Sequence, residues 1–175
     1  KKVKKIVNSL KSIENVIIAN YINSGDSNWS ELLDNNESKI DFEQLDFSHP
    51  LYIMYSSGTT GKPKSIIHSV GGTLLQHYKE HLLHVNLKAN DSMFYFTTCG
   101  WMMWNWLVSS LGLGVSIVLY DGNPFFPNND SLLKIMNKID VNIFGTSAKY
   151  ISSLNLLNVK PNKFNFNSLK SILST

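Results

Sequence analysis

The residues best suited to chemistry lie in one run, Tyr55-Ser-Ser-Gly-Thr-Thr-Gly-Lys-Pro-Lys64. It gathers the hydroxyls of Ser56, Ser57, Thr59 and Thr60 with Gly58, Gly61, Lys62 and Lys64. Glycines let backbone N–H groups turn toward one point, hydroxyls add donors, and lysine adds compact positive charge. That combination suits a polyphosphate. A Walker-type loop is excluded, because it needs four residues between its glycines and Ser or Thr after its lysine. Here only Thr59-Thr60 separate Gly58 from Gly61, and Pro63 follows Lys62. Proline disfavours helix at the residue before it, so the chain should leave this loop extended, as strand–loop–strand. Lysine and hydroxyls must then do the work that a helix N-terminus does in other phosphate sites.

Two further groups draw notice. His77, His81 and His84 are spaced i, i+4, i+7, within about 60° of one another on a helix, a spacing open to metal binding. No acidic or cysteine partner accompanies them, so a polar flank beside the apolar stripe Leu74, Leu75, Tyr78 and Leu82 is the expected role. His49 and His68 are read as structural, with His68 close to the loop's exit. The second group, Trp101-Met-Met-Trp-Asn-Trp106, is a helical stretch rich in Trp and Met, open to either core packing or the wall of a small-molecule pocket.

The elements that must hold these residues follow from periodicity. Residues 1–13 space Val3, Ile6, Val7, Leu10 and Ile13 as an amphipathic helix. Residues 15–22 and 51–55 read as β-branched or buried-type strands, with a short helix possible at 29–33. After the loop, 65–68 resumes an extended run and 71–84 a helix. Then strands at 93–97, 115–120, 141–144 and 169–173 alternate with helices at 101–111, 130–139 and 147–157. Continuously apolar strands alternating with helices predict an α/β fold, a mostly parallel sheet layered with helices. No formally charged residue lies between Met93 and Tyr120, but Gly112 and Gly114 break that stretch, so a buried helix and strand are expected rather than a membrane span.

Length and composition set the outer bounds. The 175 residues are 43% hydrophobic and 17% charged, which excludes a disordered tail and supports a packed core. Cys99 is the only cysteine, which excludes an internal disulfide and a cysteine-based zinc site. The formal charge is +3, and all basic residues are lysines. The cluster Lys1, Lys2, Lys4, Lys5 and Lys11 reads as a solvated helix end, and no nucleic-acid partner is expected. The chain starts inside a helical pattern and stops after a strand-like run, which suggests part of a longer polypeptide.

Ser-Ser-Gly-Thr-Thr-Gly-x-Pro-Lys resembles the phosphate-binding signature of the adenylate-forming superfamily of acyl- and aryl-CoA synthetases, luciferases and adenylation domains. Within it, His68–His84, Thr97–Trp106, Val118–Pro124 and Phe144–Lys149 are similar to the acetoacetyl-CoA synthetases, and Leu169–Thr175 to the strand that leads into their adenine motif. Ser65 departs from the glycine usual after the second lysine, and Lys62 occupies a variable position.

The resemblance implies that residues 1–175 are a partial N-terminal AMP-binding domain, with the C-terminal domain absent. The implied enzyme is an ATP-dependent acid–thiol ligase that converts acetoacetate to acetoacetyl-AMP and then acetoacetyl-CoA. Its implied cofactors and substrates are ATP, Mg²⁺ and coenzyme A; its other partner is the remainder of its own chain. Ser56, Ser57, Gly58, Thr59, Thr60, Gly61 and Lys64 would bind the ATP phosphates. Gly100, Trp101, Met102, Trp104, Gly145 and Thr146 are the acyl-pocket candidates, with Met103 and Ser147 beside them. No catalytic residue or metal ligand is assigned within the chain, since the family's adenine contacts and its C-terminal lysine fall beyond Thr175. The implied setting is cytoplasmic, with no membrane partner. The alternatives are a ligase for another short-chain acid, or a truncated nucleotide-binding product without catalysis. The chain alone is expected to be inactive and to expose sheet edges and apolar surface.

Overall fold

A computed structural model describes residues 2–19, 39–56 and 61–175. These form two units, 1–44 and 45–175. In the first, α1 (Lys2–Ser9) buries no residue. The strand expected at 15–22 is not assigned over 15–19, and its remainder, like the helix expected at 29–33, lies outside the described residues.

The second unit opens with an antiparallel hairpin, β1 (Pro50–Ser56) and β2 (Lys64–Ser69). Its register pairs Ile53 with Ile67 and Ser56 with Lys64. The strand–loop–strand geometry required by Pro63 is therefore present. β1 is not the buried strand its sequence suggested: Leu51, Ile53 and Tyr55 are exposed. Its apolar residues alternate on a two-stranded ribbon that stands apart from the main sheet, so one face stays in water.

Next comes α2 (Val70–Lys79), capped by Ser69, whose Oγ accepts from Gly72 N at 3.2 Å. It runs into a π-helical turn over Glu80–His84. Then follow β3 (Ser92–Tyr95), α3 (Met102–Ser109), β4 (Ser116–Val118), α4 (Ser131–Ile139), β5 (Ile143–Thr146), α5 (Ala148–Leu156) and β6 (Ser171–Ser174). Gly114, at φ +74°, makes the left-handed turn between the end of α3 and β4 that a side chain would disfavour.

β3 to β6 form one parallel sheet in the order β4-β3-β5-β6. Its two faces are read off alternate residues of β3. Met93 and Tyr95 pack with Trp106 and Leu107 of α3. Phe94 packs with Leu132, Leu133 and Met136 of α4 and with Tyr150 and Leu154 of α5. Helices therefore cover both faces, which explains why the strands are apolar without alternation. Asn142 ties the strand starts together: its Oδ1 accepts from Ser92 N at 2.7 Å and its Nδ2 donates to Ser168 O at 3.1 Å. The uncharged stretch 93–120 is β3, α3 and β4, and among the described residues no helix is long and apolar enough to cross a membrane.

The order has one consequence for function. From β3 the chain moves outward to β4 over one face, and from β5 it moves the other way to β6 over the opposite face. The carboxyl ends of β3 and β5 thus flank a topological switch point, the crevice where open α/β sheets bind ligands.

Candidate functional site

The hairpin brings the loop's two ends together. Ser56 and Lys64 are cross-strand partners, both exposed. At Gly61 φ is +157°, a conformation that side chains rarely adopt, which accounts for glycine there. Ser57, Gly58, Thr59 and Thr60 lie outside the described residues.

A cavity of about 530 Å³ joins the end of β1 to the start of α3, lined by Ile53, Met54, Tyr55, Ser56, Gly100, Trp101 and Met102. One phosphate-loop residue and three acyl-pocket candidates therefore share one wall. The two sides are also linked by Asn105 Nδ2, which donates to Met54 Sδ at 3.6 Å. Trp101, the residue before α3, is exposed rather than core, and an added Cβ at Gly100 would meet open space.

The remaining acyl-pocket candidates lie elsewhere. Trp104 lines a separate cavity of about 460 Å³ at the carboxyl ends of β3 and β4, with Tyr95, Cys99 and Tyr120 among its other walls. Met103 packs into the core on the Trp106 side of the sheet. Gly145 and Thr146 are buried within β5 and line neither cavity. Gly145 is glycine because a Cβ would run into the Tyr95 ring. Thr146 is fully buried and, among the described residues, its hydroxyl has no hydrogen-bond partner.

The α2–α3 interface departs most from expectation. His77 and His81 are buried, whereas Leu74, Leu75 and Leu82 of the supposed core stripe are exposed. The reason is polar pairing across the interface. Ser109 Oγ donates to the Trp106 carbonyl at 2.7 Å. It is therefore placed to accept from His77 Nδ1 at 3.0 Å and His81 Nε2 at 3.1 Å. His81 Nε2 also lies 3.0 Å from the Trp106 carbonyl, which can only accept, so this nitrogen carries the proton. The Trp106 indole donates to Glu80 Oε2 at 2.9 Å, and Gln76 Nε2 donates to Glu80 Oε1 at 2.7 Å. Burial pushes both imidazoles below their ordinary value of 6.5; Glu80 opposes this at each, and the hydrogen bond to Trp106 opposes it at His81. His84 is exposed and takes no part. The only sequence signal for this arrangement was the i, i+4 pair of histidines, and its interpretation required the partner residues on α3.

Beside this interface lies a third cavity of about 250 Å³, lined by His68, Ser69, Gly72, Thr73, Gln76, His77, Glu80 and Met102. Four of those residues, Gly72, Thr73, Gln76 and His77, lie on α2, with Ser69 as its cap and Glu80 in the turn that follows. Among the described residues, no group of three or more His, Cys, Asp or Glu is placed to hold a metal ion.

A β-hairpin that pairs Ser56 with Lys64, together with a doubly wound parallel sheet, defines an α/β protein of the kind that binds ligands at the carboxyl ends of its strands. Residues 1–175 match the model of the AMP-binding enzymes, and the chain belongs to that family. The acetoacetyl-CoA synthetase of Gallus gallus is 54% identical over 138 residues, covering 78% of this chain and 21% of that protein. A malonamoyl-CoA synthetase of Penicillium aethiopicum is 40% identical over 152 residues, covering 78% and 21%. The solved acetoacetyl-CoA synthetase from Streptomyces lividans superposes with a TM-score of 0.75 at 41% identity, covering 82% of this chain and 22% of that one. The chain thus spans about a fifth of the length of these relatives.

Proposed function

We propose that this chain is part of the large N-terminal domain of an AMP-forming acid–thiol ligase that activates acetoacetate and passes the acyl group to coenzyme A. The observation that carries the reading is the hairpin with Ser56 opposite Lys64, whose end opens into the cavity of Gly100, Trp101 and Met102. A polyphosphate held at the loop and a small acid held at the cavity would then be neighbours. The relatives' names supply the acid class: acetoacetyl and malonamoyl groups both carry a carbonyl at their third carbon.

In the first step a carboxylate oxygen of the acid forms a bond to the α-phosphorus of ATP, and the bond to the bridging oxygen breaks, releasing pyrophosphate. Two anions must approach, so neutralisation and alignment dominate the barrier. Ser56, Ser57, Gly58, Thr59, Thr60 and Gly61 would wrap the β- and γ-phosphates, and Lys64 would balance their charge. Mg²⁺ travels with ATP and supplies further neutralisation there. In the second step the thiol sulfur of coenzyme A forms the thioester bond and AMP leaves. A cytoplasmic setting goes with this reading, supported by the unpaired thiol of Cys99.

The test is acid-dependent exchange of labelled pyrophosphate into ATP by the full-length ligase of which this chain is proposed to be part, with acetoacetate, acetate and butyrate compared. Exchange strongest with acetoacetate is expected. No exchange with any of the three would overturn the reading.

A further inference from the structure

We infer that Met102 is a site of reversible oxidation: a hydroperoxide converts its thioether to the sulfoxide and so weakens the hold of the cavity on its acid. This rests on the proposed reaction and deepens it by adding a control on the same cavity. The chain carries five methionines, Met54, Met93, Met102, Met103 and Met136. Their surroundings separate them. Met93 and Met136 are 0% and 2% exposed, and Met103 is half-buried and packs against the core at Trp106 and Leu107. Met54 is half-buried, and its sulfur accepts from the Asn105 amide. That bond engages a sulfur lone pair, the electrons that an oxidant must reach. Met102, on the first turn of α3 behind the exposed Trp101, is 45% exposed and lines the cavity of about 530 Å³.

Its exposure goes with the use of the cavity. A cavity that admits an acid from solvent also admits hydrogen peroxide, which is smaller than acetoacetate. The sulfur lone pair attacks one peroxide oxygen and the O–O bond breaks. That oxygen stays on sulfur, and the other takes up a proton and leaves as water. Sulfur loses two electrons and the peroxide gains them. A flexible apolar arm thereby becomes a polar, chiral one. The apolar contact that the thioether offers the carbon chain of the acid is replaced by a hydrated S=O group. Binding must then strip water from that group, which opposes it. Methionine sulfoxide reductases return the thioether, one enzyme for each epimer, so the loss is reversible.

The experiment treats the full-length ligase of which this chain is proposed to be part with hydrogen peroxide. Mass mapping of its peptides reads sulfoxide at each methionine. Pyrophosphate exchange with acetoacetate reads activity, after a thiol reductant has reversed sulfenic acid at the exposed Cys99. Sulfoxide at Met102 is expected to form about tenfold faster than at Met93 or Met136, and ahead of Met54 and Met103. Exchange kcat/KM should fall about tenfold in parallel, and the two reductases should restore it. Saturating acetoacetate and ATP, without coenzyme A, should slow oxidation at Met102 by covering it. Met102→Leu, compared with its own untreated activity, should keep most of its exchange through the same treatment. Four results each overturn the inference and leave the proposed reaction standing: exchange lost while Met102 stays a thioether, exchange kept with Met102 fully oxidised, oxidation at Met102 that acetoacetate and ATP do not slow, or a fractional loss in Met102→Leu equal to that of the parent. No acetoacetate-dependent exchange before peroxide is added overturns both.

Discussion

Lys64 shows how a single residue was legible while its neighbourhood was not. Its place after Pro63 put it at the start of an outgoing strand, where it pairs with Ser56. Because it is exposed, Lys64→Ala should leave the melting temperature unchanged, whereas exchange activity of the proposed full-length ligase should fall about a hundredfold, as when a charge-stabilising group is lost. His81 is the opposite case. Its spacing from His77 was visible, but the Ser109 and Trp106 groups that bury it come from another helix. Both imidazoles titrate below 6.5 when folded, so below that value the unfolded chain binds more protons and folding loses stability as pH falls. Melting temperatures should therefore hold above about pH 6.5 and decline toward pH 5. His81→Gln, which keeps a donor toward the Trp106 carbonyl, should flatten that decline.

At the scale of elements, strands and helices after residue 50 were readable because each has an unmixed pattern, apolar runs for β3, β4 and β5 and helical spacing for α4 and α5. The orientation of α2 was not readable. Counting leucines put Leu74, Leu75 and Leu82 inside, yet the helix buries Thr73, His77 and His81. The apolar stripe counts only transfer to a dry environment, whereas α3 presents a carbonyl, a hydroxyl and an indole N–H that make the polar face the better one to bury. The acyl-pocket candidates were sorted in the same way by neighbours that sequence does not reveal. Met102 and Trp101 face a cavity, while Gly145 is fixed by the Tyr95 ring against it. Gly145→Ala should accordingly force that ring out of place and cost about 1–3 kcal/mol in chemical denaturation, with no direct effect on the loop hairpin.

For the 175-residue chain as a whole, the sheet and the hairpin face water on different terms. The parallel sheet is covered on both sides, but the hairpin carries Leu51, Ile53 and Tyr55 along one face of β1, and Ile53 is paired in register with Ile67. Ile53 and Ile67 are 60% and 63% exposed. Adjacent apolar side chains on a two-stranded ribbon form one continuous strip rather than scattered contacts, and such strips drive association in water. This chain alone, at micromolar concentration, should therefore sediment as a concentration-dependent mixture and bind a hydrophobic dye. Ile53→Thr together with Ile67→Thr keeps β-branched residues suited to the ladder while replacing a methyl-bearing arm of each by hydroxyl, so the pair should stay folded and shift toward monomer. Monomeric behaviour of the parent chain, or association that the double substitution leaves unchanged, would show that the strip is not what drives self-association.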